Sequence, residues 1–153
     1  MCADIVTPEE RSRLMAGIRG KDTAVELAVR RQLHALRYRF RLHRKDLPGR
    51  PDIVLPRFRV AVFVHGCFWH RHHGCPHAGT PRTRADFWQK KFEANVRRDA
   101  VAVQSLTHAG WRVAILWECS ILPCGLRRED LTRFRDWLED QPGASRPVIL
   151  EIP

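Results

Sequence analysis

The sequence predicts an α/β protein, and three observations carry that expectation. Two continuous apolar runs, Arg59-Val-Ala-Val-Phe-Val64 and Trp111-Arg-Val-Ala-Ile-Leu-Trp-Glu118, read as buried strands. Between them, from Thr83 to about His108, Trp88, Phe92, Val96, Val103 and Leu106 recur on one face of a long helix. Strand, long helix and strand in that order imply a right-handed parallel crossover. At 153 residues with 44% hydrophobic content the chain is long enough for one domain with a real core.

The remaining elements follow in chain order. Thr7-Pro8-Glu9-Glu10 combines a capping residue, a proline at the first helical position and a glutamate at the third, so a short helix begins there and ends near Gly17 or Gly20. Thr23-Ala-Val-Glu26 repeats the capping signature and opens a second helix to about Leu36. Tyr38-Arg-Phe-Arg-Leu42 alternates apolar and basic residues as a half-exposed strand does. Leu47-Pro-Gly-Arg-Pro51 breaks the chain before the strand Asp52-Ile-Val-Leu55, and Pro56-Arg-Phe58 turns into the next. Gly110 stops the long helix, and a last helix spans roughly Arg128 to Glu139. The expected organisation is an N-terminal arm and helix over 1–20, a main domain over 21–140 and a tail over 141–153.

The net charge of +10 and pI near 10.4 point toward a polyanion, most commonly nucleic acid. Of the 27 basic residues 23 are arginine, whose fork matches phosphates and guanine edges, although a GC-rich genome produces the same bias. No signal peptide or apolar span is visible, so the expected location is the cytoplasm. Five cysteines, at 2, 67, 75, 119 and 124, are then thiols or metal ligands rather than disulfides. Cys2 and Cys124 read as incidental.

Chemistry concentrates in His65-Gly-Cys-Phe-Trp-His-Arg-His-His-Gly-Cys75, which leaves the carboxyl end of the 59–64 strand, where sites collect in open α/β sheets. His72 and Cys75 are spaced to bind one zinc ion from one turn. Asp99 falls on the apolar stripe of the long helix, three residues after Val96 and four before Val103, where an unpaired carboxylate is costly. An arginine or a metal would satisfy it. Cys119 follows the second buried strand, so His72, Cys75, Asp99 and Cys119 are a candidate tetrahedral zinc set. Asp52, at a turn entering a strand, suits a Mg²⁺ site, which wants oxygen ligands; a plain turn aspartate is the simpler reading. Glu26 has its capping role as the simpler reading. Cys67 on a glycine turn reads as a packing residue.

Pro51-Asp52, the 65–75 segment, Thr83-Arg-Ala-Asp-Phe-Trp88, Asn95-Val-Arg-Arg-Asp99 and Gly110-Trp-Arg-Val-Ala-Ile-Leu-Trp-Glu-Cys119 together resemble the very-short-patch repair (Vsr) DNA mismatch endonucleases. Thr7-Pro-Glu-Glu-Arg-Ser and Lys21-Asp-Thr-Ala-Val-Glu26 are similar to that family too, so the resemblance runs over about residues 7–138. It implies a restriction-endonuclease-like three-layer fold, a mixed central sheet flanked by helices, with a structural zinc site. The implied reaction is a Mg²⁺-dependent nick 5′ of the T in a T:G mismatch left by 5-methylcytosine deamination.

The resemblance further makes Asp52 the Mg²⁺ ligand, His70 the general base, and His65 and Glu26 the groups that orient water or phosphate. Val64 stands where family members ligate metal, so only its backbone carbonyl can serve. The zinc set matches the family's structural site, with His72 set against His73. Phe68, Trp69 and Trp88 match an intercalating wedge, against the simpler reading of core aromatics. Arg11, Arg13 and Arg19 are candidate phosphate contacts. The implied partners are mismatched duplex DNA, a cytosine-5 methyltransferase and mismatch-repair proteins, with the protein a monomer in the bacterial cytoplasm and no membrane involved. Two rival classes are a zinc-stabilised DNA-binding module without catalysis and a cysteine-dependent enzyme using Cys67.

Overall fold

The computed structural model describes residues 7–17, 20–140 and 147–153. Its elements are α1 (Pro8–Ala16), α2 (Ala24–Ala35), β1 (Arg41–Leu42), β2 (Ile53–Leu55), β3 (Val60–His65), α3 (Ala85–His108), β4 (Arg112–Trp117), β5 (Ile121–Leu122), β6 (Gly125–Leu126), α4 (Arg128–Glu139) and β7 (Ile149–Ile152). The central sheet has the order β1-β2-β3-β4-β7. Its first three strands pair antiparallel, and β3/β4 and β4/β7 pair parallel, so the sheet is mixed. The expected crossover is there: α3 carries the chain from β3 to its parallel neighbour β4.

Alternation along β3 sorts its side chains onto two cores. Val60, Val62 and Val64 join Ala28, Val29 and Leu33 of α2 and Phe134, Trp137 and Leu138 of α4 on one face. Ala61 and Phe63 join Ala102 and Leu106 of α3 on the other. The result is helices, sheet and helix in three layers. His65 continues the Ala61 and Phe63 register and so belongs to the α3 side.

The buried line along α3 is not quite the expected one. Val96 is 45% exposed, and the helix face turned inward runs Trp88, Phe92, Asn95, Asp99, Ala102 and Leu106 at steps of four, three, four, three and four. Two polar residues therefore sit mid-stripe, which is where α3 passes the 65–75 segment.

The 141–153 stretch expected as a tail carries β7, whose Leu150 and Ile152 are buried against β4. The hairpin β5/β6 is a further element without a sequence signal; it docks on α2, where Gln32 exchanges two hydrogen bonds with the backbone of Leu126. Gly125 there has φ 117°, and a Cβ on it would lie 2.5 Å from Gln32. At the N-terminus the capping box holds, with Glu10 and Thr7 exchanging hydrogen bonds. Arg13 is exposed, whereas Arg19, the side chain of Arg11 and Cys2 lie outside the described residues.

Candidate active site and thiol cluster

The antiparallel ladder of β2 with β3 ends at Ile53↔Val62, two residues before Val64. Even residues of β3 direct their N–H and C=O toward β2, so beyond that point Val64 has no strand partner on that side among the described residues. Asp52 fills the place: its Oδ2 accepts from the Val64 N–H at 2.8 Å. The turn that delivers Asp52 is tightly set, because Gly49 has φ 71° and a Cβ there would meet the Ala102 methyl of α3 at 2.5 Å. Burial pushes the Asp52 carboxyl up to about 6, opposed by the Val64 N–H and reinforced by the charge of Glu26. Glu26 itself is buried at the first turn of α2, and its side chain does more than cap: Oε2 accepts from the Asp22 N–H at 2.9 Å and Oε1 from the Thr23 hydroxyl at 3.0 Å.

After β3 the chain coils back on itself, with His70 N–H donating to Gly66 O and His72 N–H to Cys67 O, each at 3.0 Å. This coil lays the His70 ring parallel on His65, with centroids 3.9 Å apart and planes 6° apart. Burial and the neighbouring His70 pull His65 down to about 4, so it is neutral at pH 7. His70 Nδ1 lies 2.6 Å from Asp99 Oδ2. An ionised carboxylate only accepts, so Nδ1 carries the proton and Nε2 is left as the acceptor in the neutral ring. Asn95, the other polar member of the α3 stripe, donates from Nδ2 to Trp69 O at 3.2 Å and pins the same coil.

The four-ligand set expected from spacing is corrected here. Asp99 pairs with His70, at a distance that leaves no room for an ion between them, and Cys67 takes its place in the cluster. Ligand atoms of Cys67, His72, Cys75 and Cys119 all lie within 4.8 Å of one another. His72, stacked on Trp117 at 4.2 Å, is the histidine of this cluster, and His73 is exposed. Burial pushes the Cys67 thiol up to about 12 and raises Cys119 as well. Such thiols are weak nucleophiles at neutral pH, which speaks against a cysteine-dependent reaction. They suit a bound cation, which would favour the thiolates.

The aromatics form one group beside the coil. Phe68 contacts Trp69, Trp88 and Phe92 with centroids 5.1–5.5 Å apart. Trp88 is 8% exposed and packs as a core residue does, whereas Phe68 and Trp69 are only partly covered. Sequence reasoning passed over two neighbours. Phe87 is 45% exposed, and the Lys91 ammonium stands 5.2 Å over Trp69 and 5.8 Å over Phe87. The i, i+4 spacing of Phe87 and Lys91, next to Trp88, was the available signal.

A family model described as DNA mismatch endonuclease Vsr matches residues 3–76. The chain is 39% identical over 152 residues to the DNA mismatch endonuclease Vsr of Escherichia coli, covering 95% of this chain and 94% of that one. The chain belongs to the Vsr DNA mismatch endonuclease family. Two further Vsr relatives are Type II nicking enzymes: V.XorIIP of Xanthomonas oryzae pv. oryzae, 49% identical over 87% of this chain and 97% of the relative, and V.NmeAIP of Neisseria meningitidis serogroup A, 36% identical over 90% and 97%. As a Vsr-family member the protein is a DNA endonuclease, and the reading as a binding module without catalysis falls away. No described helix of this Vsr-family chain is long and apolar enough to cross a membrane.

Proposed function

We propose that this endonuclease nicks one strand 5′ of the T in T:G mismatches arising from 5-methylcytosine deamination, with Mg²⁺ at Asp52. The observation that carries this reading is Asp52 against the unpaired β3 edge at Val64, beside the His70–Asp99 pair. Asp52 offers a carboxylate, and the Val64 carbonyl leaves its strand on the same side as the N–H that Asp52 holds. These oxygens fit a hard divalent cation. When bound, Mg²⁺ would supply Lewis-acid stabilisation of the phosphate and acidify a water. His70 Nε2 then takes the proton of the attacking water, and Asp99 steadies the ring as it becomes cationic. Neutral His65 beneath it adds no like charge and can hydrogen-bond water or phosphate. Glu26 keeps a lone pair on Oε1 for the same purpose.

Phe68 and Trp69, partly exposed and joined by Phe87, are the rings suited to stack on bases opened at a weak pair, with Trp88 as their buried backing. Lys91 and Arg13 add positive charge for phosphates. The three layers around a mixed sheet suit the restriction-endonuclease-like fold, and α1 suits a DNA clasp. A cytosine-5 methyltransferase, as source of the lesion, and mismatch-repair proteins in the bacterial cytoplasm are the corresponding partners.

The test uses T:G and matched duplexes with labelled strands, with Mg²⁺ or with EDTA. The expected product is a single nick 5′ of the mismatched T, only with Mg²⁺; equal cutting of matched DNA, or cutting in EDTA, overturns the reading.

Zinc is the ion the thiol cluster suits. Tetrahedral zinc with bonds near 2.3 Å to sulfur holds its sulfurs about 3.8 Å apart, within the spread of the four ligand atoms. The purified protein is expected to contain about one zinc per chain, lost together with thermal stability in Cys67→Ser. Asp99→Asn should keep its zinc. Elemental analysis showing zinc retained in Cys67→Ser but lost in Asp99→Asn would restore the set expected from spacing.

A further inference from the structure

A partly buried ionic network, with Arg30 at its centre, stands behind Glu26 and has no other part in the nicking chemistry. Arg30 lies one helical turn after Glu26 on α2, with 9% of its side chain exposed. Its Nη1 donates to Asp22 Oδ1 at 2.6 Å, and its Nη2 to Glu26 Oε2 at 2.9 Å. The same Nη2 is 3.0 Å from His43 Nε2, and since guanidinium only donates, that nitrogen is the acceptor. Asp22, Glu26 and His43 have the composition of a metal site, but the Arg30 guanidinium already stands among them as their cation. Asp22 precedes α2 and His43 follows β1, both with left-handed backbone, at φ 56° and 46°. Arg30 thus ties the start of α2 to the segment that leads into Asp52. Glu26 is close enough for its charge to act on Asp52.

Counting lone pairs shows what this does to Glu26. Oε2 is fully engaged by the Asp22 N–H and Arg30, and among the described residues Oε1 accepts only from the Thr23 hydroxyl. The carboxylate is fixed in rotation, with one acceptor position unspent. A bare salt bridge for helix stability needs none of this. We propose that Arg30 is a positioning residue for DNA nicking, acting through Glu26 by holding its carboxylate in the one orientation that serves the Asp52 site. The proposal rests on the reading of Glu26 as a site residue.

The test is a double-mutant cycle on the full chain, measured as single-turnover nicking of a T:G duplex at saturating Mg²⁺. The variants are Arg30→Met, Glu26→Gln and the pair, each with a melting curve and a DNA affinity. Arg30→Met is expected to slow nicking by about tenfold or more alone and by less than about twofold in the Glu26→Gln background, because contacting groups couple and independent ones add. DNA affinity should stay within about twofold. Arg30→Lys supplies one ammonium that cannot fork between Asp22 and Glu26, so it recovers only part of the rate. Should Arg30→Met fail to fold, the same cycle run with Arg30→Lys decides: a loss present with Glu26 intact and absent in the Glu26→Gln background supports the proposal. Equal losses in both backgrounds, or no loss, overturn it while leaving Glu26 as a site residue. Unimpaired nicking by Glu26→Gln instead removes the reading of Glu26, and the proposal with it.

Discussion

Asp52→Asn is expected to bring nicking down by roughly 10³-fold or more while making the resting protein more stable at neutral pH. The activity loss follows from removing the proposed charged oxygen ligand, since metal stabilisation of a transition state is worth several kcal/mol and each 1.36 kcal/mol is about tenfold. The stability gain follows from the carboxyl being raised from 3.8 to about 6. A carboxyl whose folded value exceeds its unfolded one favours folding fully below about pH 3.8, and that contribution is lost as pH rises through about 6. At pH 8 the wild type therefore carries an ionised carboxylate the fold disfavours. Asparagine removes that cost and keeps an oxygen for the Val64 N–H. The gain should be on the order of 1–3 kcal/mol at pH 8, discounted for the partial exposure of Asp52, and near zero at pH 4. For a chain of this size that is about 2–4 °C in Tm per kcal/mol. Retained Mg²⁺-dependent nicking removes Asp52 from the site, and a Tm lowered at pH 8 contradicts the burial argument.

The second large effect concerns the pair joined by α3. His70→Ala should cost on the order of 10² to 10⁴ in nicking rate. Asp99→Asn should cost nearly as much, because the amide can donate to Nδ1 and so favours the tautomer whose proton sits on Nε2, where no base then remains. Changing both should cost little more than changing His70 alone, since the two act as a unit. Single-turnover rates on a T:G duplex measure all three. A loss below about tenfold for His70→Ala moves the base elsewhere, and multiplicative losses show that Asp99 does not work through His70.

Much of this arrangement was legible because its signals are local. Apolar runs marked β3 and β4, cap residues marked α1 and α2, and the placing of Asp52 before a strand needed only the turn at 47–51. What escaped depends on contacts that spacing does not encode. Asp99 does need a partner on its buried stripe, but the coil after β3 decides whether imidazole or thiol meets it, and that coil presents His70. Cys67 resembled packing because burial is common to packing and ligation alike. The inward face of α3 differs from its apolar pattern because Asn95 is polar, so an apolar count skips it and enlists its exposed neighbour Val96. The four residues of β7 alternate in burial, yet so short a run acquires meaning only from the edge of β4 beside it.

The early end of the β2/β3 ladder has a further consequence. Extended by two residues, the register Ile53↔Val62 would set Pro51 opposite Val64. Proline has no N–H to give the Val64 carbonyl, and at that position it works as a stop on zippering. Any residue with an amide proton could let the sheet grow by one more rung and spend on secondary structure the backbone groups that border Asp52. The buried Pro51 keeps that last rung from forming, so the Val64 carbonyl borders Asp52 because the sheet is prevented from completing itself.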